Sequence, residues 1–209
     1  MSETFDPLCR RCPRLAGFLD QVKREHQSYH CRPVAAFGDP HPRILVVGLA
    51  PGMHGANRTG RPFTGDYAGI LLYETLHRHG LAGKAQSIAA DDGLTLTGAR
   101  ITNAVKCLPP DNKPERAEIK MCNTFLRSEL AALPSIRVVV ALGLIAHAAV
   151  LMAMDLRASK FKFSHAAEHG LPGGRTLLDS YHCSRYNTQT RRLTPAMFDA
   201  VFERARAMC

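Results

Sequence analysis

Four short runs dominate the hydrophobic pattern of this chain: RILVVG (43–48), ARITNAV (99–105), IRVVVALG (136–143) and RTLLDSYH (175–182). Two are nearly all apolar, as strands covered on both faces should be. Helical spacing falls between and around them. Leu15, Leu19, Val22 and His26 share a face in 13–27, and Ile70, Tyr73 and Leu76 share one in 67–79, which Gly80 can end. After Pro114, Ile119, Cys122, Leu126 and Leu130 recur at helical spacing, and Thr194-Pro195 offers a cap and first turn for 195–207. Strand alternating with helix implies right-handed crossovers and a parallel sheet, an α/β fold. The 209 residues suit one domain, 1–209, with ample length for a core.

Such sheets bind ligands beyond the carboxyl ends of their strands. Three of the runs end there in polar sequence: GLAPGMHGANRTGRPFTGD (48–66), KCLPPDNKP (106–114) and HCSRYN (182–187). The first is a glycine-rich loop leaving a strand, which invites a phosphate reading. That reading fails, because no Lys followed by Ser or Thr stands after a second glycine, and no GxGxxG occurs. The loop instead carries His54, Asn57, Arg58, Arg61, Phe63 and Asp66. An aromatic with amide and acid groups suits a planar polar ring. On spacing alone, Phe63 is as well read as core, and Asp66 as a cap for the helix over 67–79.

Seven cysteines, an odd number, argue against a disulfide framework in a reducing compartment. Cys9 and Cys12 form a C-x2-C pair; Cys107 follows a strand and Cys122 lies on the next helix. Four thiolates in two local pairs could hold zinc or an iron–sulfur cluster, and spacing does not separate the two. Cys107 and Cys122 could also be buried apolar residues. Cys31, Cys183 and Cys209 have no local partner. His165, Glu168 and His169 spell the H-x-x-E-H of a zinc peptidase, but GLPGG (170–174) follows at once and denies them a sustained helix. His147 sits in an apolar helix and reads as a core residue.

The net charge of +9 favours polyanionic partners, since Lys and Arg gain affinity by releasing counterions condensed on phosphates. No run approaches the roughly 20 apolar residues of a membrane span. No secretory signal opens the chain, so a cytoplasmic protein without membrane association is the default.

Together, GLAPGMHGANRTGRPFTGD, ITNAVKCLPPDNKP and DSYHCSRYNTQTRRLT resemble, in order, the motifs of the uracil-DNA glycosylase superfamily, specifically its fifth family, the type B enzymes. The resemblance implies a three-layer α/β/α sandwich on a four-stranded parallel sheet. It also implies a structural [4Fe–4S] cluster on Cys9, Cys12, Cys107 and Cys122. Phe63 is placed stacking on a flipped base, with backbone amides around Ala50 and Gly52 at its carbonyl edge. Asn103 falls where the family reads the Watson–Crick edge, His182 where it contacts uracil O2, and Asp66 on the acid thought to assist water. Asn112 and Asn187 match polar residues near the pocket. Ala50 stands where the best-known uracil enzymes carry Asp or Asn, which shifts the catalytic burden to Asp66 and His182. Cys183 replaces the proline common after this histidine.

The expected activity is hydrolysis of the N-glycosidic bond of uracil in DNA, and of other deaminated bases such as hypoxanthine, leaving an abasic site. No lysine nucleophile suggests a lyase step. Arg58, Arg61, Lys106, Lys113, Arg185, Arg191 and Arg192 are candidates to grip phosphates, and Tyr186 or Arg185 could fill the vacated stack. An enzyme of this size that extrudes a base usually works as a monomer. Two alternatives stay open from the residues alone: a non-enzymatic iron–sulfur nucleic-acid-binding protein, and a zinc-stabilised nucleotide-binding enzyme.

Overall fold

The computed structural model describes residues 4–209; residues 1–3 of the expected 1–209 domain lie outside the described residues. The four apolar runs form the strands β2 (Ile44–Gly48), β3 (Ala99–Asn103), β4 (Val138–Leu142) and β6 (Arg175–Ser180). They pair in parallel in the order β3-β2-β4-β6. Two short antiparallel strands extend the sheet to six: β1 (Phe37–Gly38) on β3 and β5 (Glu168–Leu171) on β6. The expected four parallel strands are therefore the middle of a wider sheet. β5 and β6 form a hairpin whose turn places Gly173 and Gly174 at φ 76° and 71°, a region that glycine enters without steric cost. That turn explains why H-x-x-E-H builds no peptidase helix: Glu168 and His169 lie on a strand.

β2 and β4 are buried along their whole length, and the alternation of their side chains divides the core in two. The one-turn helix α2 (Ala56–Thr59) lies in the loop after β2. Ile44, Val46, Val138 and Val140 face α3 (Tyr67–Arg78) and α7 (Pro195–Ala207), through Leu72, Tyr73, Leu76, Phe198 and Phe202. Leu45, Val47, Val139 and Ala141 face α4 (Arg116–Ala132) and α5 (Leu144–Ala153), through Leu126, Leu130, Ala146 and Val150. This is the expected sandwich, and each such buried Leu or Val contributes about 1.5–3 kcal/mol. One helical face differs from the pattern. Ile70 is 53% exposed, and α3 instead buries Leu71, Leu72, Tyr73, Thr75 and Leu76. α1 (Pro13–Glu25) lies over the α4 side of β3 and stops one residue before His26. His147 is buried on α5, with Nδ1 2.8 Å from Asp179 Oδ1 and Nε2 3.1 Å from the Phe161 carbonyl. Among the described residues, no helix is long and apolar enough to cross a membrane.

Candidate active site

The register of the sheet builds the floor of the site. Gly48 ends β2 directly beside Asn103, which ends β3. The loop leaving Gly48 returns Phe63 over it so tightly that a Cβ at position 48 would sit 2.4 Å from Asn103 Oδ1 and 2.6 Å from Phe63 Cζ. Phe63 is buried and holds φ 54°, a left-handed conformation that a phenylalanine adopts only under constraint. The constraint is visible: Tyr73 donates its hydroxyl to the Pro62 carbonyl at 2.8 Å, and α3 approaches so closely that a Cβ on Gly69 would lie 1.8 Å from Phe63 O. Asn103 Oδ1 is buried and accepts no hydrogen bond. Buried acceptors are nearly always paired, so an orphan at the end of a strand marks a place awaiting a donor. The His182 ring lies 6.0 Å from that of Phe63 and is inclined 29° to it. Burial pushes its imidazole down to about 4, so it is neutral at pH 7.

Asp66 is the cap the sequence allowed, and its second carboxylate oxygen is left facing the loop. Its Oδ1 caps α3, accepting from Gly69 N at 2.9 Å. Its Oδ2 faces the glycines of the loop: a Cβ on Gly55 would be 2.4 Å away and one on Gly52 3.5 Å away. Desolvation raises its pKa above the usual carboxylate range, against the opposing pull of the Gly69 and Ala68 N–H groups. Asp66 lines a cleft of about 1000 Å³ together with Gly52, His54, Tyr67, Asn112 and Arg185. Asn112 and its neighbour Asp111 both hold positive φ, 56° and 53°, in the short turn Pro110–Asn112. Such strain persists where surrounding structure fixes it, as at functional sites.

The remaining candidates divide. Arg185 lies 5.3 Å over the Tyr67 ring, and Tyr186 is 71% exposed at the start of α6 (Arg185–Gln189). Arg58 is exposed and donates to the His54 carbonyl at 2.7 Å. Arg192 stacks 4.8 Å over Tyr181. Asn187 braces the site from behind, donating Nδ2 to the His182 carbonyl at 2.8 Å. Two cations expected to grip phosphates do not reach solvent. Arg61 is 5% exposed and paired with Asp92 at 2.7 Å, and Lys106 is buried against Thr102, with Glu129 3.6 Å away. Both are spent on buried carboxylates or hydroxyls. Residues 86–88 escaped the sequence reading altogether, yet Gln86, Ser87 and Ile88 line the cleft opposite Asn112 and Arg185. That segment has no apolar period and no motif; its only signal is Asp92, the partner of Arg61.

Cys9, Cys12, Cys107 and Cys122 line one small apolar pocket with Leu15 and Phe125. Among the described residues, His147, His169 and Asp179 also gather, their ligand atoms within 4.8 Å of one another. Burial, then repulsion from Cys122, pushes the Cys107 thiol up to about 12, and burial pushes Cys122 up to about 11. Thiols so crowded ionise only when a cation joins them. Lys106 N donates to Cys122 Sγ at 3.2 Å and Arg11 Nε to Cys9 Sγ at 3.4 Å, contacts that favour the thiolate form of both sulfurs. Four thiols around one pocket are a donor set that fits a thiolate-held metal group, whether zinc or an iron–sulfur cluster. Ala50 packs against this nest, and Met53 against the neighbouring cluster of Leu19, Val22 and Cys31. The first half of the site loop thus rests on the cysteine scaffold.

The floor also makes a prediction. Gly48→Ala should cut activity more than tenfold and also lower the melting temperature, because its Cβ displaces Asn103 and the core side chain Phe63. Steady-state kinetics beside a thermal melt would check it.

A family model described as the uracil DNA glycosylase superfamily matches residues 35–206. The type-5 uracil-DNA glycosylase of Thermus thermophilus is 51% identical over 205 residues, covering 96% of this chain and 93% of that protein. The type-5 uracil-DNA glycosylase of Mycobacterium leprae is 44% identical over 209 residues, covering 96% and 91%. The one from Pyrobaculum aerophilum is 42% identical over 203 residues, covering 95% and 88%.

Proposed function

This chain belongs to the uracil DNA glycosylase superfamily, beside its type-5 members, and from that premise we propose how its site recognises a base and breaks its bond. The protein is a DNA repair enzyme that excises uracil by hydrolysing the N-glycosidic bond. A base inside a duplex is out of reach, so it must be extruded at a cost of about a few kcal/mol, least at a mispair. Phe63, beside Asn103 and His182, offers the stacking face.

The orphan Oδ1 of Asn103 carries the specificity argument. Uracil presents an N–H between two carbonyls, and hypoxanthine presents an N–H beside one. Cytosine and adenine present a bare ring nitrogen at that edge, an acceptor facing an acceptor. One unpartnered acceptor therefore disfavours cytosine and adenine and is compatible with hypoxanthine beside uracil; thymine and guanine carry the same N–H, so their rejection rests on the shape of the pocket. A hydrogen bond to a base edge is worth about 1–3 kcal/mol. Asn103→Ala should therefore lower kcat/KM on uracil roughly 10- to 100-fold. The same variant should narrow the margin over cytosine.

Bond cleavage puts negative charge on the departing base and positive charge on the sugar. His182, neutral because it is desolvated, donates an N–H to O2 and stabilises the anion in a dry pocket. Asp66 stabilises the sugar cation and orients water on its far face. Arg58, Lys113 and Arg185 meet phosphates, while Tyr186 projects from α6 to fill the vacated stack. Cys9, Cys12, Cys107 and Cys122 would hold a [4Fe–4S] cluster, which supplies a rigid brace.

Acid should slow the enzyme in a defined way. Asp66 is needed as a carboxylate, and its raised pKa moves the acid limb of kcat/KM above the usual Asp range. His182 stays neutral down to about 4 and does not set that limb. A pH–rate profile of wild type and Asp66→Asn, in which only the wild type shows the limb, would bear this out. The test of base range places uracil, hypoxanthine, cytosine or adenine at one position of a labelled duplex, followed by alkali. Scission is expected at the first two alone. Scission at none overturns the reading, and scission at uracil alone removes the wider range.

A further inference from the structure

We propose that residues 86–92 form a second DNA-contacting wall, in which Ile88, with Ile70 of the same cleft, packs against the nucleotides flanking the extruded base, and that Arg61 is the positioning residue that fixes this wall. The inference rests on the glycosylase reading and adds to it a surface that neither motif nor charge marks.

The segment is anchored with unusual completeness for a loop. Arg61 donates to Ser87 Oγ at 3.0 Å, to Asp92 Oδ1 at 2.7 Å and to the Ala90 carbonyl at 2.5 Å, with its guanidinium 4.4 Å over the Phe37 ring. Asp92 in turn accepts from the backbone N–H groups of Ile88 at 2.9 Å and Leu94 at 2.9 Å. Ser87 Oγ lies 2.7 Å from Thr64 Oγ1, and its carbonyl accepts from Gly65 N at 3.1 Å. The loop is thereby clipped to the stretch that joins Phe63 to Asp66. A buried ion pair adds little net stability over a hydrophobic replacement, so its use here is geometric.

What it holds in place is apolar and open to solvent. Ile88 is 66% exposed, and Ile70 and Tyr67 on α3 are exposed across the same cleft. Large aliphatic side chains left open in one cleft mark a surface that something covers. The cleft names the occupant: it is continuous with Asp66 and is bounded by Asn112 and Arg185, so the strand that delivers the base must pass between these walls. Aliphatic side chains beside a lesion act on sugars and unstacked base faces, where they hold a deformed backbone without reading sequence.

The probe is a duplex carrying a tetrahydrofuran abasic analogue, which the enzyme cannot turn over. Ile88→Asp should weaken its binding at least tenfold, and Ile88→Leu should bind within twofold of wild type. On a uracil duplex the loss should fall on KM more than on kcat. Because Ile88 is exposed, both variants should melt with wild type. Arg61→Gln should show faster hydrogen exchange at Ile88 and Ala89 and the same weakened binding. Undiminished binding by Ile88→Asp, while wild type releases uracil normally, overturns the wall alone. A wild type that releases no uracil overturns the glycosylase reading and the wall with it.

Discussion

Replacing Asp66 by Asn is expected to lower the rate of uracil release about 10²- to 10⁴-fold, the range for a positioned acid or base. The substitution separates chemistry from architecture. Asn is as good an N-cap as Asp, so the bond from Gly69 N and the start of α3 survive. Only the charge facing Gly52 and Gly55 is lost. The sign of the stability effect follows from the direction of the pKa. Burial raises Asp66 above its unfolded value, the reverse of the usual carboxylate case. Its ionised form therefore penalises the folded state above that raised pKa, and the penalty fades as pH falls through it. Asp66→Asn removes the penalty at pH 7, so the variant should melt no lower than wild type while being nearly inactive. A melt and a single-turnover assay on one preparation would decide the point. Wild-type activity would remove Asp66 from the mechanism, and a lower melting temperature would make its role structural.

Replacing Cys107 or Cys122 by Ser should have the largest effect on stability. Both thiols line the pocket shared with Cys9 and Cys12, Cys122 buried and Cys107 half-buried, and Ala50 of the site loop packs against this nest. Loss of a metal site belongs to the class of substitutions costing about 4 kcal/mol or more. For a chain of this size each kcal/mol lowers the melting temperature by about 2–4 °C, so a fall of about 8–16 °C is expected. Iron content should fall with it. Cys183→Ala is the control, since Cys183 is fully buried away from the nest and should leave iron unchanged. Iron retained at wild-type stoichiometry in both serine variants would contradict the assignment.

The parallel strands were legible because burial on both faces writes an unbroken apolar run, as in VVVAL of β4. The edge strands were not. β1 is two residues long and β5 reads EHGL, so their pairing comes from neighbours and a hairpin turn rather than from their own composition. The pocket was half legible. Residue types alone left Phe63 between core and stacking face and Asp66 between cap and acid, and in each case the geometry accommodates both. Charge was the poorest guide. Arg61 and Lys106 stand in polar loops beside phosphate-seeking arginines, yet each meets a carboxylate that chain distance conceals: Asp92 lies 31 residues from Arg61. The same concealment hid the wall at Ile88, whose placement depends on that pair.

The central claim is that this site hydrolyses the bond between uracil and deoxyribose, and the direct measurement follows both products from one duplex bearing a single U opposite G. With cluster-replete protein, free uracil and abasic sites should appear in equal amounts while the strand stays intact until alkali is added. No free uracil, or strands nicked before alkali, would contradict the account.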